Sequence, residues 1–483
     1  MKSMKYIFKA LSVISFTLSL AACNDEVINE SNKSENEFGT IVFTAEAPTT
    51  RTSLEADNKV YWNDGDEIVV VPEYGSYIQD LENYKFTTSI PEQKAPNAEF
   101  VGKTILNKLY YIAFYPFEQC IQIGRSNVGP CIFFNIPQKQ IATAGSFAPN
   151  TNPAWTRATI SPIDNVATDA NLQFKNIGAL VKITLKGASN LKSITLTDMN
   201  SEIALTGNLQ YDMDDNTTPL KTYPGWSSNY KNRVTLEGNF HDATYYMVIA
   251  PIKGALSQGF TLTFNRNDGT AYIKKAKEGI ITELAAGETV NLGEIDLSYA
   301  DFQPMITDVD FIAAVESEGA TKNSNFQTFD IGWEKRYGMI PLTEENKQKI
   351  ESVTFLDVTT KNLSSLEYIP YFKNLYVLSC GDNNLSTLNI SSLKGLGQLF
   401  CYDNNLSSLD VSALTELTAL WCYGNNLKTL DLSKNTNLQT LDCRNQKNGV
   451  LHLILNKSMQ EWWETTTQCA SWHEGSVEVT YVD

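Results

Sequence analysis

Four cysteines stand at a fixed interval of 21 residues, each inside a near-copy of one short phrase. The copies read LYVLSCGDNNLSTL, LGQLFCYDNNLSSL, LTALWCYGNNLKTL and, cut short, LQTLDCRNQ. A fixed period requires each copy to occupy an equivalent environment, which a single compact core does not provide. The sequence therefore predicts a solenoid of stacked repeats, a fold that commonly binds partners on an extended surface. The cysteines of this period are Cys380, Cys401, Cys422 and Cys443.

The shared phrase, L-x-x-L-x-C-x-x-N-x-L, resembles the leucine-rich repeat with cysteine at one inward position. The resemblance implies short parallel strands, and we expect five of them, centred on Val358 and on the four cysteines. It also implies that the recurrent asparagine lies inside the turn after each strand, where its amide satisfies buried backbone groups. These asparagines are Asn383, Asn404 and Asn425.

The column of cysteines is predicted to be structural. Neighbouring parallel strands lie about 4.8 Å apart, which puts successive cysteine Cβ atoms beyond the ~3.8 Å that a disulfide prefers. We expect reduced thiols that fill a dry core as small apolar groups, and no zinc site.

The N-terminus resembles a bacterial lipoprotein signal. Lysines precede the apolar run ALSVISFTLSL, and small residues lead into Cys23. The run is too short to span a bilayer as a helix. The resemblance implies that a signal peptide of residues 1–22 is removed and that lipid on Cys23 holds the protein on a membrane. An ordinary signal peptide that contains a cysteine is the alternative.

Residues 23–37 are polar and acidic and are predicted to form a flexible tether. The acidic residues after Cys23 resemble the export tag of some Gram-negative lipoproteins, so we expect a lipid-anchored protein of the outer membrane and cell surface. The chain has 38 Lys and Arg against 55 Asp and Glu, a formal net charge of −17. This charge argues against binding to nucleic acid or to anionic lipid headgroups.

The first half of the chain has the alternating pattern of short strands separated by Gly, Asn, Asp and Pro. Such strands without intervening helices predict β-sandwiches. The series KVYWNDGDEIVVV, LYYIAFYP, IPQKQIATAGSFAPNTNPAWTRA, LQFKNIGALVKITLKG and SITLTD resembles the fimbrillin-like family. This resemblance implies two transthyretin-like sandwich domains in a surface lipoprotein, and many members of the family are subunits or anchors of fimbriae.

We therefore expect a mainly β fold, with two transthyretin-like β-sandwich domains followed by a short leucine-rich-repeat solenoid that has a helical N-terminal cap. The cap is predicted from two helical segments, MITDVDFIAAVESEG and PLTEENKQKIESV, the second with a Thr343-x-x-Asn346 start. The expected limits are 38–165 and 166–298 for the sandwiches, 299–352 for this cap, 353–455 for the repeats and 456–483 for a C-terminal cap.

The residues on either side of each cysteine are predicted to face outward on the concave sheet. Two adjacent repeats then present four aromatic side chains, and exposed aromatics of this kind are typical anchors for a ligand, either a protein or a glycan. The alternatives are packing against a neighbouring domain and an aromatic ladder that stabilises the sheet. The four predicted ligand-binding residues are Phe400, Tyr402, Trp421 and Tyr423.

Two further sites are predicted in the first sandwich region. The family resemblance implies that fimbrial subunits which polymerise are cut by a protease after a basic residue, and Arg51 stands at a comparable place. The cut would let the chain accept a strand from another fimbrial subunit. A solvated residue in a β-hairpin is the alternative for Arg51. Cys120 and Cys131 flank the turn-rich segment IQIGRSNVGP, so a disulfide across a hairpin is a candidate there.

No sequence motif for catalysis, a metal or a cofactor is found, and the three histidines are widely separated. We therefore expect a protein that is not an enzyme, with no cofactor. The predicted function is that of a fimbrial accessory, tip or adhesion protein whose repeats bind a protein or glycan. A stand-alone surface lipoprotein that captures glycan or peptide, unrelated to fimbria assembly, is the alternative.

Overall fold

The structure is a computed structural model that describes residues 38–47, 61–73, 77–91, 94–106, 108–159, 171–222, 230–317, 319–322, 330–335, 338–465 and 477–483. The chain is mainly β, with two β-sandwiches followed by a leucine-rich-repeat solenoid that has a helical N-terminal cap, which confirms the predicted fold class. In these ranges the α-helices are Val309–Val315, Glu344–Glu351 and Gln460–Thr465, and the 3-10 turns are Glu82–Tyr84, Phe117–Gln119, Ile369–Tyr371 and Lys457–Met459.

The first sandwich is built on an eight-stranded sheet whose two edge strands are separated by the single residue Phe174. Because both edges come from one short piece of chain, the sheet curls round and encloses an aromatic core. Trp62 lies in that core, and its indole N–H donates to the Ala45 carbonyl oxygen at 3.1 Å. In sheet order the strands are Asn171–Gln173, Phe38–Glu46, Asn97–Ile105, Lys85–Thr88, Glu67–Pro72, Tyr110–Tyr115, Ala154–Thr159 and Lys175–Asn176.

The second sandwich packs a seven-stranded sheet against a three-stranded one around a core of aliphatic and aromatic side chains. The seven strands are Lys139–Ile141, Arg233–Glu237, Leu191–Asp198, Phe260–Arg266, Thr270–Ala276, Gln303–Ile306 and Ile340–Pro341, and the three are Thr244–Ile249, Ala179–Lys186 and Thr289–Asp296. A four-stranded sheet and a small strand pair complete this half of the chain: Leu220–Thr222, Gly207–Asp212, Gly129–Ile136 and Cys120–Ser126, and Trp62–Asn63 with Lys94–Ala95.

Strand pairing links the two sandwiches across residue 165. Strand Gly207–Asp212 pairs antiparallel with Gly129–Ile136, and Asn171–Gln173 pairs in parallel with Phe38–Glu46. One apolar cluster contains buried side chains from both regions, among them Phe134 and Val248. The two sandwiches therefore share part of their core, and the domain limits at residues 165 and 298 stay predictions.

The helical cap joins the solenoid to the second sandwich. Strand Gln303–Ile306 pairs on one side with Thr270–Ala276 and on the other with Ile340–Pro341, so the sandwich sheet runs into the cap. Polar contacts reinforce this joint, because Asp310 accepts from Lys231 at 3.4 Å and also pairs with Arg233. The solenoid is thus fixed to the sandwich by backbone pairing as well as by side chains.

Both cap helices begin at a side-chain cap. The Asp308 carboxylate accepts from the Phe311 backbone N–H, and the Thr343 hydroxyl accepts from the Asn346 backbone N–H at 3.2 Å. The predicted Thr343-x-x-Asn346 start is therefore confirmed. The first helix is shorter than the helical segment in the sequence, because the residues that precede Thr307 belong to strand Gln303–Ile306.

Five short parallel strands form the concave sheet of the repeats, and a short antiparallel strand, Thr321–Lys322, covers its first edge. The strands were predicted to centre on Val358 and on the four cysteines. In the structure each strand instead ends at the residue just before one of these positions. The five are Phe355–Asp357, Val377–Ser379, Gln398–Phe400, Ala419–Trp421 and Thr440–Asp442. A second parallel sheet closes the far end of the solenoid, with strands Thr429–Asp431, Leu451–Asn456 and Val477–Val482.

Within the ranges that the structure describes, no helix is both long enough and apolar enough to cross a membrane.

Candidate binding face of the repeats

The cysteines of the repeats line the interior of the solenoid. Each follows a three-residue strand whose central leucine also points inward, so leucine and cysteine alternate with outward residues. Cys380, Cys401 and Cys422 are fully buried, and Cys443 is 3% exposed. The thiols of Cys380, Cys401 and Cys422 are free. The cysteine column therefore belongs to the core, and the residues beside it form the surface.

Buried amides hold the turn after each strand in place. The Asn404 side chain accepts from the Leu385 backbone N–H at 2.9 Å. It donates to the carbonyl oxygens of Cys380, Cys401 and Tyr402 at 3.0, 3.2 and 3.0 Å. One side chain thus bridges two successive repeats and satisfies buried backbone groups of both.

The same bonds recur along the stack. Asn383 and Asn425 occupy equivalent places, and in the last repeat the Gln446 amide takes over, accepting from Leu427 N–H at 3.0 Å. Sequence reasoning missed Gln446, although its position three residues after Cys443 and its amide group were available signals. This ladder fixes the register of the outward residues next to it.

We define the aromatic face as Phe400, Tyr402, Trp421 and Tyr423. The structure brings these four predicted side chains together on the concave surface. The Phe400 and Trp421 rings meet edge to face with centroids 4.9 Å apart, and Tyr402 stacks on Tyr423 at 4.9 Å with an interplanar angle of 9°. Tyr402 also contacts Trp421, at 6.5 Å between centroids. The four rings form one continuous surface.

The rings differ in exposure. Trp421 keeps 40% of its surface in solvent, whereas the other three are half-buried by contacts with one another and with the sheet. Burial, and after it the Asp382 carboxylate, raises the pKa of Tyr402. Burial, followed by the Asp403 carboxylate, raises the pKa of Tyr423. Both hydroxyls therefore stay protonated at neutral pH and can donate to a ligand.

Glycines provide the space in which the tyrosine rings lie. A Cβ atom on Gly381 would stand 2.4 Å from Cζ of Tyr402, so only glycine allows that ring to lie over the preceding repeat. Gly397 likewise leaves room for Tyr376, whose ring would lie 2.2 Å from a Cβ there. Tyr376 is 43% exposed and is an aromatic surface residue that sequence reasoning missed. The only sign of Tyr376 in the sequence was Gly397, the glycine at the equivalent position of the next repeat.

We expect Gly381→Ala to disrupt the stack of Tyr402 on Tyr423. The added methyl group meets the ring within van der Waals distance, so the ring must move, at a cost of about 1–3 kcal/mol in unfolding free energy. Near-ultraviolet circular dichroism should change while the far-ultraviolet spectrum stays the same. Gly395→Ala is the matched control, because nothing lies within 4 Å of a Cβ at Gly395. Identical near-ultraviolet spectra for the two variants would contradict the assigned ring position.

The predicted disulfide is wrong. Cys120 and Cys131 do lie on the two strands of a hairpin, but both thiols are free. Cys120 is opposite Phe134 and Cys131 is opposite Gly124. The two cysteines are therefore offset by three residues along the strands, about 10 Å, which exceeds the Cα separation that a disulfide tolerates.

The remaining predicted site residues, Cys23 and Arg51, lie outside the described residues. Among the residues that the structure does describe, no three His, Cys, Asp or Glu side chains are grouped so that they could hold a metal ion.

The sequence matches no protein-family model and no curated protein. Among solved structures, a putative cell adhesion protein from Bacteroides uniformis is similar over 55% of this chain and 95% of its own, at 13% identity and a TM-score of 0.33. The tip fimbrial protein Mfa3 from Porphyromonas gingivalis is similar over 51% of this chain and 84% of its own, at 10% identity and a TM-score of 0.24.

A third similar structure is the functional domain of InlJ from Listeria monocytogenes, which includes a cysteine ladder. It covers 30% of this chain and 34% of its own, at 23% identity and a TM-score of 0.21. All three TM-scores are below 0.5, so no conclusion about this chain rests on these similarities.

Proposed function

We propose that this protein is a non-catalytic surface lipoprotein that binds a protein or glycan ligand through the aromatic face of its repeats. Its role is that of a fimbrial accessory, tip or adhesion protein. Lipid on Cys23 anchors it to the outer membrane of a Gram-negative bacterium.

The exposure of Trp421 is the observation that carries this proposal. With every described residue in place, 40% of this large side chain remains in contact with solvent, and it contacts the rings of Phe400 and Tyr402. Exposure of this much apolar surface to water is unfavourable. A ligand that covers the surface recovers that free energy. The aromatic ladder remains the competing explanation for Tyr402 and Tyr423, whose stacked rings stabilise neighbouring strands. It does not account for the exposed surface of Trp421.

The surface location is proposed from the lipoprotein signal and the acidic residues after Cys23. A tether of residues 23–37 would hold the folded chain away from the membrane, where the repeats are free to meet a ligand. The formal net charge of −17 keeps such a chain soluble and away from anionic headgroups.

The test of binding is a screen of the purified chain on a glycan array and on a displayed peptide library. For any ligand found, we expect Trp421→Ala and Tyr402→Ala each to weaken binding by roughly tenfold or more, because aromatic anchors dominate such interfaces. Tyr299→Ala is the control, since Tyr299 is 93% exposed and lies outside the repeats. Unchanged affinity in both repeat variants would refute binding through the aromatic face.

The fimbrial role is tested by isolating surface fibres and probing them for this chain. Its presence in the fibres supports the accessory role, and its presence only in the membrane fraction favours the stand-alone lipoprotein. Mass spectrometry of the mature N-terminus decides the processing in the same preparation. A lipidated Cys23 supports the anchor, whereas an N-terminus at Thr52 requires cleavage after Arg51.

A further inference from the structure

Two carboxylates border the aromatic face and occupy equivalent positions in successive repeats. Asp382 and Asp403 each stand two residues after a cysteine, with left-handed φ values of 50° and 47°. The Asp382 backbone N–H donates to the Tyr402 carbonyl oxygen at 3.1 Å, and that of Asp403 donates to Tyr423 at 2.9 Å. Both side chains are exposed. The backbone of each aspartate is thus tied to the next repeat, whose tyrosine belongs to the aromatic face.

The glycine that follows in the next repeat leaves space for one of these carboxylates. A Cβ atom on Gly424 would stand 2.0 Å from Oδ1 of Asp403. The backbone of Gly424 is also in the left-handed region, with φ of 68°. Gly424 therefore occupies, in the next repeat, the position that Asp382 and Asp403 occupy in theirs. The Asp403 carboxylate therefore lies over the backbone of the Tyr423 repeat, beside the stacked rings.

The cations of this region are engaged elsewhere. Arg444 pairs with Asp442 through two contacts of 3.0 and 2.8 Å. Lys447 donates to the Asn404 carbonyl oxygen at 2.7 Å and to the Asn405 side chain at 3.2 Å. Among the described residues, no lysine or arginine forms an ion pair with Asp382 or Asp403. In this part of the chain the two carboxylates therefore form no direct ion pair, and the Lys447 ammonium acts on Asp403 only from a distance.

The electrostatic environment of the rings agrees with this arrangement. Partial burial of its oxygens raises the pKa of the Asp403 carboxyl, and the charge of Asp382 adds to the effect, whereas Lys447 opposes it. The charges of both carboxylates also contribute to the raised pKa of Tyr402 and of Tyr423. The concave surface thus combines aromatic rings with excess negative charge.

Rings and carboxylates together suit a cation. An ammonium or guanidinium group is attracted to the face of an aromatic ring and is neutralised by a carboxylate beside it. The first strand of the same sheet already holds a cation over an aromatic ring, because the Lys322 ammonium lies 4.2 Å from the Phe355 ring centroid. A neutral sugar can donate hydroxyl groups to the carboxylates but leaves their charge unpaired, and an acidic sugar is repelled by it.

We propose that the aromatic face recognises a basic segment of a protein partner, with an arginine or lysine side chain placed against the rings and paired with Asp382 and Asp403. This inference rests on the proposed function, since it assumes that the aromatic face is the binding surface. It names the partner chemistry that the charge of the face selects.

The test selects peptides from a random dodecapeptide library on the immobilised full chain and measures their affinities in solution. We expect the selected peptides to carry an arginine or lysine whose replacement by glutamine weakens binding by roughly tenfold. The double variant Asp382→Asn and Asp403→Asn should weaken the basic peptide equally and leave the glutamine peptide unchanged. Asparagine tolerates the left-handed backbone, so these substitutions preserve the fold.

The outcomes separate the two proposals. Peptides or glycans that need Trp421 but neither a basic residue nor the two carboxylates would overturn the cation inference and leave the proposed function intact. Ligands that bind the native chain, Trp421→Ala and Tyr402→Ala with equal affinity would overturn both. Failure to recover any basic peptide, with glycans bound instead on a parallel array, also overturns the inference. Loss of affinity on raising the salt concentration supports it only when the Asn double variant lacks that salt dependence.

Discussion

Replacing Asn404 by alanine is expected to destabilise the repeats by about 3 kcal/mol, because a buried amide that makes four hydrogen bonds is lost. Asn404 is 1% exposed, so the Leu385 N–H loses its acceptor in a dry interior. The carbonyl oxygens of Cys380, Cys401 and Tyr402 each lose one of two donors. The bonds join two repeats, and the loss therefore weakens the interface between them as well as one turn.

The measurement should be local, since a chain of several domains does not unfold in one step. Hydrogen exchange of peptides that span Leu385 and Asn404 should become faster in Asn404→Ala, with little change in the sandwiches. Asn405→Ala is the matched control, because its side chain is exposed and its substitution leaves the ladder intact. Equal exchange in the two variants would show that the amide ladder does not hold the repeats together.

The second large effect is expected in the chemistry of the ladder cysteines. Burial raises the pKa of the Cys401 thiol to about 12, and the pKa of Cys380 and of Cys422 is also raised, chiefly by burial. The thiolate is the reactive form, so its population at neutral pH is lowered by roughly a thousandfold against an ordinary cysteine. Buried side chains also exclude the reagent. In the native protein the four thiols should therefore resist maleimide.

Mass spectrometry after a short maleimide pulse checks this expectation, and concentrated guanidinium should make all four cysteines react. Ser407→Cys provides an exposed thiol on the same repeats as an internal standard. Labelling of Cys401 or Cys422 at the rate of that standard would contradict their place in the core. The same experiment tests the free state of Cys120 and Cys131, because a disulfide would withhold both from the reagent even in guanidinium.

The repeat domain follows from the sequence to a large extent. Because each repeat contacts its neighbours in the same way, the spacing of Cys401 and Cys422 fixes which residues point inward and which point outward. Counting one residue from each cysteine was enough to place Phe400 and Trp421 on one surface, where the structure has them. The cap helix that starts at Thr343 was predictable for a similar reason, since its capping contact is local.

The sandwiches were predictable only as a class. Strand Gly207–Asp212 pairs with Gly129–Ile136 across more than seventy residues of chain, and alternation of apolar residues gives no register for such a partner. The offset of Cys120 from Cys131 shows the consequence, because a hairpin was foreseen while the pairing that separates the two thiols was not.

By itself, the sequence determined the period of the solenoid, the inward position of its cysteines and the outward position of four aromatic rings. Only the tertiary structure decided that Tyr402 lies over Gly381 and that Trp421 stays exposed. It also decided that Asp382 and Asp403 form no direct ion pair with any residue that the structure describes. The physical reason is that periodicity fixes the direction of a side chain from its backbone. Its rotamer and its ion-pair partner depend instead on which neighbours the fold brings within a few ångströms.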